Sequence, residues 1–215
     1  MSTDARTVLT SFTSAAHIAH TSLTALDQVS GDGDFGDNLR EGLGLVTAAL
    51  DHRPDEPPFA VAANVFLDEV GGTSGPLMGL LFQELARAHA AHQGDDRAAW
   101  TTGVREGLAA IQRVGEAEPG DRTLVDTLVP ARDALESGAS ERGVAEAALA
   151  GAQATSALRA RRGRASYVGE RAVGWPDPGA LGIALLFWCR ADAVGEAPGM
   201  LADHLPVPRR YGHRP

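Results

Sequence analysis

The sequence predicts an all-α protein, and three observations carry that expectation. Apolar residues recur every three or four positions along nearly the whole chain, which is the spacing of one helix face. No segment alternates β-branched and polar residues in the manner of a half-buried strand. Runs rich in glycine and proline punctuate the periodic stretches, where the backbone must turn. The pattern predicts about eight helices joined by short loops.

The first stretch carries Val8, Phe12, Ala15, Ala19, Leu23 and Leu26 on one face. The second carries Leu39, Leu43, Val46 and Leu50, and the third Phe59, Ala62, Val65 and Phe66. A fourth is predicted to open at Pro76, a residue suited to a first turn, and to run through Leu77, Leu80, Leu81 and Leu85. Trp100, Val104, Leu108 and Ile111 mark the fifth. The last three are predicted at 123–137, 142–161 and 179–194. Loops fall at 51–58, 71–75, 115–120, 138–140 and 163–178.

At 215 residues and 44% hydrophobic, the chain can bury a sizeable core. No linker has the composition of a domain boundary. The expectation is therefore one helical domain over 1–194 and a proline-bearing tail over 195–215 without helical pattern. No apolar run is long enough to span a bilayer, and the first residues lack a basic region followed by an apolar stretch. The one cysteine, Cys189, lies in the run Leu-Leu-Phe-Trp-Cys and reads as a buried, inert thiol. These features predict a cytoplasmic protein with no membrane partner. A net charge of −9 disfavours nucleic acid. All 19 basic residues are arginine, so a Walker-type loop with its lysine is excluded. Phosphate chemistry here must rest on metal ions, backbone N–H groups and arginine.

Residues 27–38 read Asp-Gln-Val-Ser-Gly-Asp-Gly-Asp-Phe-Gly-Asp-Asn. Asp27, Asp32 and Asp34 fall on one glycine-rich turn, where like charges repel unless a hard cation joins them. A solvated turn would explain Gly-Asp-Gly-Asp taken alone. An EF-hand is excluded, because counting from Asp32 puts Asp37 at its glycine position and Leu43 at its glutamate position. The company further along the chain favours a metal site. Gly71-Gly72-Thr73-Ser74-Gly75-Pro76 precedes the fourth helix, where free N–H groups bind anions; an ordinary pair of helix caps would read the same way. In the 115–126 loop, Asp121 or Thr123 is expected to cap the sixth helix. The long, arginine-bearing 163–178 loop is more functional than passive in character. The glycine-rich loops follow the first, third, fifth and seventh helices. In an up-and-down bundle those loops share one end.

Four segments together resemble one family, the L subunit of bacterial dihydroxyacetone kinase and the matching domain of single-chain dihydroxyacetone kinases. They are Asp27, Asp32, Asp34, Gly36 and Asn38 at family spacing; Gly71–Pro76; Glu118-Pro-Gly-Asp-Arg-Thr123 with Asp126; and Gly163-Arg-Ala-Ser-Tyr-Val-Gly-Glu-Arg171 with Asp177-Pro178-Gly179-Ala180. The resemblance runs from about residue 7 to about residue 194. It implies an eight-helix up-and-down antiparallel barrel with ADP or ATP at one end. It implies two Mg²⁺ ions on Asp27, Asp32 and Asp34, and nucleotide contacts from Phe35, Gly36, Asn38, Gly72, Thr73, Ser74, Gly115, Thr123, Leu124, Arg171, Asp177, Pro178 and Gly179. No side chain acts as a covalent catalyst in this scheme; the metal–nucleotide site carries the transfer.

The resemblance further implies that a keto sugar sits on a separate K-type subunit. The donor is then free ATP or a phosphocarrier of the phosphotransferase system. A homodimer is compatible with the same reading. The chain departs from the family at Phe35, where His or Thr is usual, and at Leu124, where Met is usual. Two other functions fit the same motifs: a regulatory or docking module that keeps its nucleotide without turnover, and a kinase domain acting on another carrier-presented substrate. His17, His20, His89 and His92 lie outside the glycine-rich loops, so none is placed to hold a sugar.

Overall fold

A computed structural model describes residues 4–167 and 169–206; for Arg164 and Arg171 only the backbone is described. Eight α-helices follow in order: α1 Ala5–Ser30, α2 Phe35–His52, α3 Pro58–Asp68, α4 Ser74–Ala91, α5 Asp96–Gly115, α6 Val125–Glu136, α7 Glu141–Ala154 and α8 Pro178–Asp192. Among the described residues there is no strand, as the periodicity predicts.

Local chemistry starts several of these helices. Asp4 accepts the N–H groups of Arg6 and Thr7 at the head of α1. Asp95 caps α5 through Ala98, Ser140 caps α7 through Gly143, and Asp177 caps α8 through Ala180. Proline opens α3 and α8, where its missing N–H costs nothing. By contrast, Thr73, at the head of α4, makes no side-chain cap.

Each helix packs on the next in sequence, and α8 packs back on α1, which closes the ring. The α1–α2 pair is antiparallel: Thr13 meets Thr47, and nearer the turn His20 meets Asp37. The last helix also touches α2 and α6, because it is sunk into the barrel. Every residue from Pro178 to Ala191 is buried. A helix apolar round its whole circumference has to be covered on all sides. Facing it is an aromatic group in which Trp100 stands edge-on to Phe59 at 5.4 Å and Phe66 edge-on to Phe82 at 5.2 Å.

Three details differ from the sequence reading. The fourth helix begins at Ser74, so Pro76 lies within its first turn rather than at its opening. The seventh ends at Ala154, well short of the predicted 161, and tightens into a 3₁₀ turn over Thr155–Ala157. Thr155 causes the break: its hydroxyl donates to Ala152 and accepts the N–H of Asp177, which draws the chain back toward α8. The segment after Gly195 is not featureless, since Leu201–His204 forms a 3₁₀ turn and Leu201 is buried in the core. Residues 207–215 of the expected tail lie outside the described residues.

Gly36 belongs to this packing. A Cβ there would sit 2.9 Å from the His20 carbonyl oxygen and from the Thr24 backbone nitrogen. Only a missing side chain lets α1 and α2 come so close. Gly36→Ala is expected to destabilise the protein by about 1–3 kcal/mol, the usual cost of overpacking. Urea unfolding checks it, and an unchanged midpoint would show that the two helices can part without cost.

Candidate functional site

The loops after α1, α3, α5 and α7 converge at one pole of the barrel on a single cleft. Its wall takes Asp27, Ser30, Phe35 and Asn38 from the first turn, the whole of Gly71–Gly75 from the second, and Gly115, Arg122, Thr123 and Leu124 from the third. Arg162, Gly163 and Asp177–Gly179 close the fourth side. Phe66, Met78 and Ile111 supply an apolar floor. Most residues singled out from the sequence are thus brought together.

Asp27 is buried at the end of α1. Its Oδ2 accepts the N–H of Gly33 at 3.0 Å and of Phe35 at 3.1 Å. An aspartate on one helix therefore caps the next, and the carboxylate is held at the cleft wall. Gly31 must lack a side chain, because a Cβ there would meet Asp27 Oδ1. Gly33 takes a φ of +90°, which glycine adopts freely.

Asp32 and Asp34 stand exposed on the outside of the same turn, and Asp32 accepts the N–H of Asp34 at 3.3 Å. The expected convergence of three carboxylates is not present: among the described residues, no group of three His, Cys, Asp or Glu side chains is gathered to hold a metal. The donor set is nevertheless all oxygen, on a glycine-rich turn at the mouth of a cleft, and its chemistry fits a hard cation.

The remaining residues fall into two groups. Gly72 turns the 71–75 segment with a φ of +76°, and Thr73 and Ser74 present hydroxyls beside the uncapped start of α4. Such a helix end offers N–H groups to an anion. Phe35 is buried; a Cβ at Gly182 would lie 2.8 Å from its Cζ, so the ring packs under the loop against α8. Gly36 faces α1 and does not line the cleft. The side chain of Arg171 lies outside what is described.

The expected sixth-helix cap takes another form. Asp126 in the first turn of α6 accepts the N–H groups of Gly120 and, at 2.8 Å, Thr123, while Asp121 accepts that of Glu118 at 3.0 Å. Thr123 Oγ1 accepts the Val125 N–H. These bonds fix the 118–124 turn as a unit.

Sequence reasoning left out Arg122, Arg162 and the apolar floor. Arg122 stands inside a quoted motif and is the only cation between residues 115 and 124, which is the signal that marks it. The floor residues carry no such signal, because their helical spacing is that of any core position. Arg162 reaches Glu116 at 3.3 Å and Asp121 at 3.6 Å across the cleft rim.

Asp177 is the one strongly perturbed carboxyl in the cleft. Burial pushes it up to about 6 against the opposing pull of Arg122 and the Ala180 N–H, with Asp27 and Asp126 adding repulsion. A raised carboxyl binds more protons folded than unfolded, so stability falls as pH rises between its ordinary value of 3.8 and about 6. Asp177→Asn keeps a helix cap and removes the titration. Relative to that variant, the wild type is expected to lose on the order of 2–3 kcal/mol across this window. Parallel melting curves from pH 4 to 6.5 would contradict the assignment.

Comparison with known proteins agrees with this geometry. The model of the DAK2 domain family matches residues 29–191. The chain is 38% identical over 170 residues to the PEP-dependent dihydroxyacetone kinase 1, ADP-binding subunit DhaL, of Listeria innocua, covering 77% of this chain and 83% of that one. It is 37% identical over 185 residues to the L-erythrulose 1-kinase of Mycolicibacterium smegmatis, covering 81% of this chain but 32% of that kinase. In structure it superposes on the dihydroxyacetone kinase from C. freundii in complex with AMP-PNP and Mg²⁺, with a TM-score of 0.68 and 27% identity over 87% of this chain and 33% of that one. The chain thus spans about a third of the mycobacterial and C. freundii kinases and most of the Listeria subunit.

Proposed function

This chain belongs to the DAK2 domain family, and from that membership we propose that it is the nucleotide-carrying L subunit of a dihydroxyacetone-kinase-like enzyme. It holds ADP or ATP in the cleft. From there a phosphoryl group passes to a small keto sugar, dihydroxyacetone or a near relative, presented by a separate K-type subunit. One observation supports this most: the four loops of one pole form a single cleft with three chemistries. It is acidic at Asp27, rich in hydroxyls and amides along Gly71–Gly75, and apolar at Phe66, Met78 and Ile111. A magnesium nucleotide has the same three parts in sequence: cation, phosphates and base.

Asp27, Asp32 and Asp34 hold two Mg²⁺ ions in this proposal. Magnesium held there would supply neutralisation of the phosphate charge. Gly72, Thr73 and Ser74 receive phosphate oxygens, while Gly115, Thr123 and Leu124 border the base or ribose. Asn38, Arg171 and the first turn of α8, Asp177–Gly179, complete the enclosure. Phe35 contributes a wall rather than a hydrogen bond. We assign the helical domain to residues 1–194 and the cytoplasm as compartment. No helix among the described residues is long and apolar enough to cross a membrane.

No histidine lines the cleft among the described residues. The chain alone is therefore expected to show no kinase activity toward dihydroxyacetone with ATP, and to gain it on addition of a K-type subunit. A coupled assay with each component omitted in turn tests this. Turnover by the isolated chain would overturn the half-enzyme reading. Mg²⁺–ADP binding without transfer to any K subunit would favour a docking module. Adding a phosphocarrier in place of ATP identifies the donor.

A further inference from the structure

Among the described residues, Arg122 is the one cation buried in the cleft wall. Only 1% of its surface is exposed, although a guanidinium loses much by leaving water. Its backbone has a φ of +62°, the left-handed region that side chains other than glycine, asparagine and aspartate seldom occupy. Both features cost free energy. Together they aim the side chain inward, under the loop that precedes α8.

Three contacts receive it there. Nη2 donates to the carbonyl of Ala172 at 3.2 Å and of Trp175 at 3.0 Å. Nη1 lies 3.7 Å from the carboxylate of Asp177, the residue that caps α8. Nε and Nη1 have no hydrogen-bond partner of their own, so the group is held by its charge and by the Nη2 bonds. The residue itself belongs to the 118–124 turn that Asp126 and Asp121 hold rigid.

Those two ends belong to different parts of the cleft. The 115–124 loop is its ring-side wall in the proposed function. Asp177 caps α8 on the fourth side of the cleft, where the charges of Asp27 and of Asp126 both reach it; in the proposed function we place that side against the phosphates. We propose that Arg122 is a positioning residue that sets the spacing between the ring-binding and the phosphate-binding halves of the site. It fixes the distance between the two walls, so that a ligand spanning both meets them at once. The inference rests on the nucleotide reading of the cleft and adds to it the residue that couples the cleft's two halves.

Such a role makes a demand that a merely structural arginine does not. A ligand that spans both halves should suffer when the spacing is loosened, whereas ligands confined to one half should not. The test is calorimetric titration of wild type, Arg122→Met and Arg122→Lys with three probes: Mg²⁺–ADP, Mg²⁺–pyrophosphate and adenosine. Met removes the donors at similar length; Lys keeps the charge and can reach one carbonyl.

The expected result is that R122M weakens Mg²⁺–ADP by about tenfold or more while pyrophosphate and adenosine stay within about twofold. R122K is expected to recover part of the loss. Hydrogen exchange at Gly174 and Trp175 should speed up in R122M while amides of α3 and α5 are unchanged. Equal weakening of all three probes, or no weakening of ADP in either variant, would overturn the role. If R122M proves unfolded, R122K alone decides: ADP affinity equal to wild type refutes the proposal, and selective loss supports it. A wild type that binds pyrophosphate and adenosine but not Mg²⁺–ADP would refute the nucleotide reading and the inference with it.

Discussion

Asp34→Ala is expected to abolish Mg²⁺-dependent ADP binding while leaving the fold intact. The Asp34 side chain is exposed and makes no cap bond with α2, so helical circular dichroism should persist. On the proposed function, what is lost is one of three oxygen ligands to the cation, which in turn offsets the phosphate charge. Asp32→Ala should behave alike in binding. Asp27 differs, because its carboxylate also caps α2 through Gly33 and Phe35. Its alanine variant should lose both binding and about 1–2 kcal/mol of stability. Asp27→Asn, which retains an acceptor oxygen, separates the two effects. Titration with Mg²⁺–ADP, repeated in EDTA, measures all four variants. Wild-type affinity in both Asp32→Ala and Asp34→Ala would remove the turn from the site.

The second large effect belongs to the opposite pole. Arg190 is buried near the end of α8, where Nη1 and Nη2 meet Glu141 at 2.7 and 2.8 Å and the guanidinium lies 4.6 Å from the centre of the Trp100 ring. Asp96 lies 3.5 Å away. Arg190→Ala leaves Glu141 partly buried without this partner, a loss expected to cost about 3–5 kcal/mol. The double variant Arg190→Met, Glu141→Leu should recover part of it, because removing both charges lifts the desolvation cost. Mg²⁺–ADP affinity of the folded protein should not change, since the cluster lies at the far end of the barrel. Urea unfolding of the single and double variants checks the size. A single variant within 1 kcal/mol of wild type would show that water reaches Glu141 and replaces the arginine.

The sequence made the helices and the site's chemistry legible for local reasons. Val8, Phe12, Ala15 and Ala19 mark a buried face by spacing alone, and all four are buried. Asp177 and Pro178, assigned from the sequence to the 163–178 loop, instead cap and open α8. Gly72 and Gly163 take positive φ at the turns the sequence places there. The end of α7 was not legible, because Thr155 breaks the helix by accepting an N–H from a residue 22 positions away. Gly36 reads as part of a glycine-rich ligand turn, yet its backbone is pressed against His20 and Thr24.

The sequence by itself determined that the protein is helical, that the glycine-bearing loops alternate, and that carboxylates, hydroxyls and glycine-rich turns are what those loops carry. All of these depend on residue type and on spacing within a few turns. Tertiary structure decided which residues face one another. It sank α8 into the barrel, brought four loops to one cleft, and left Asp32 and Asp34 exposed on the turn that follows buried Asp27. It turned Arg122 inward to hold Asp177, and it set Arg190 between Glu141 and Asp96 at the other pole. Those outcomes depend on contacts between segments tens of residues apart, where burial and charge are balanced only once the chain has closed on itself.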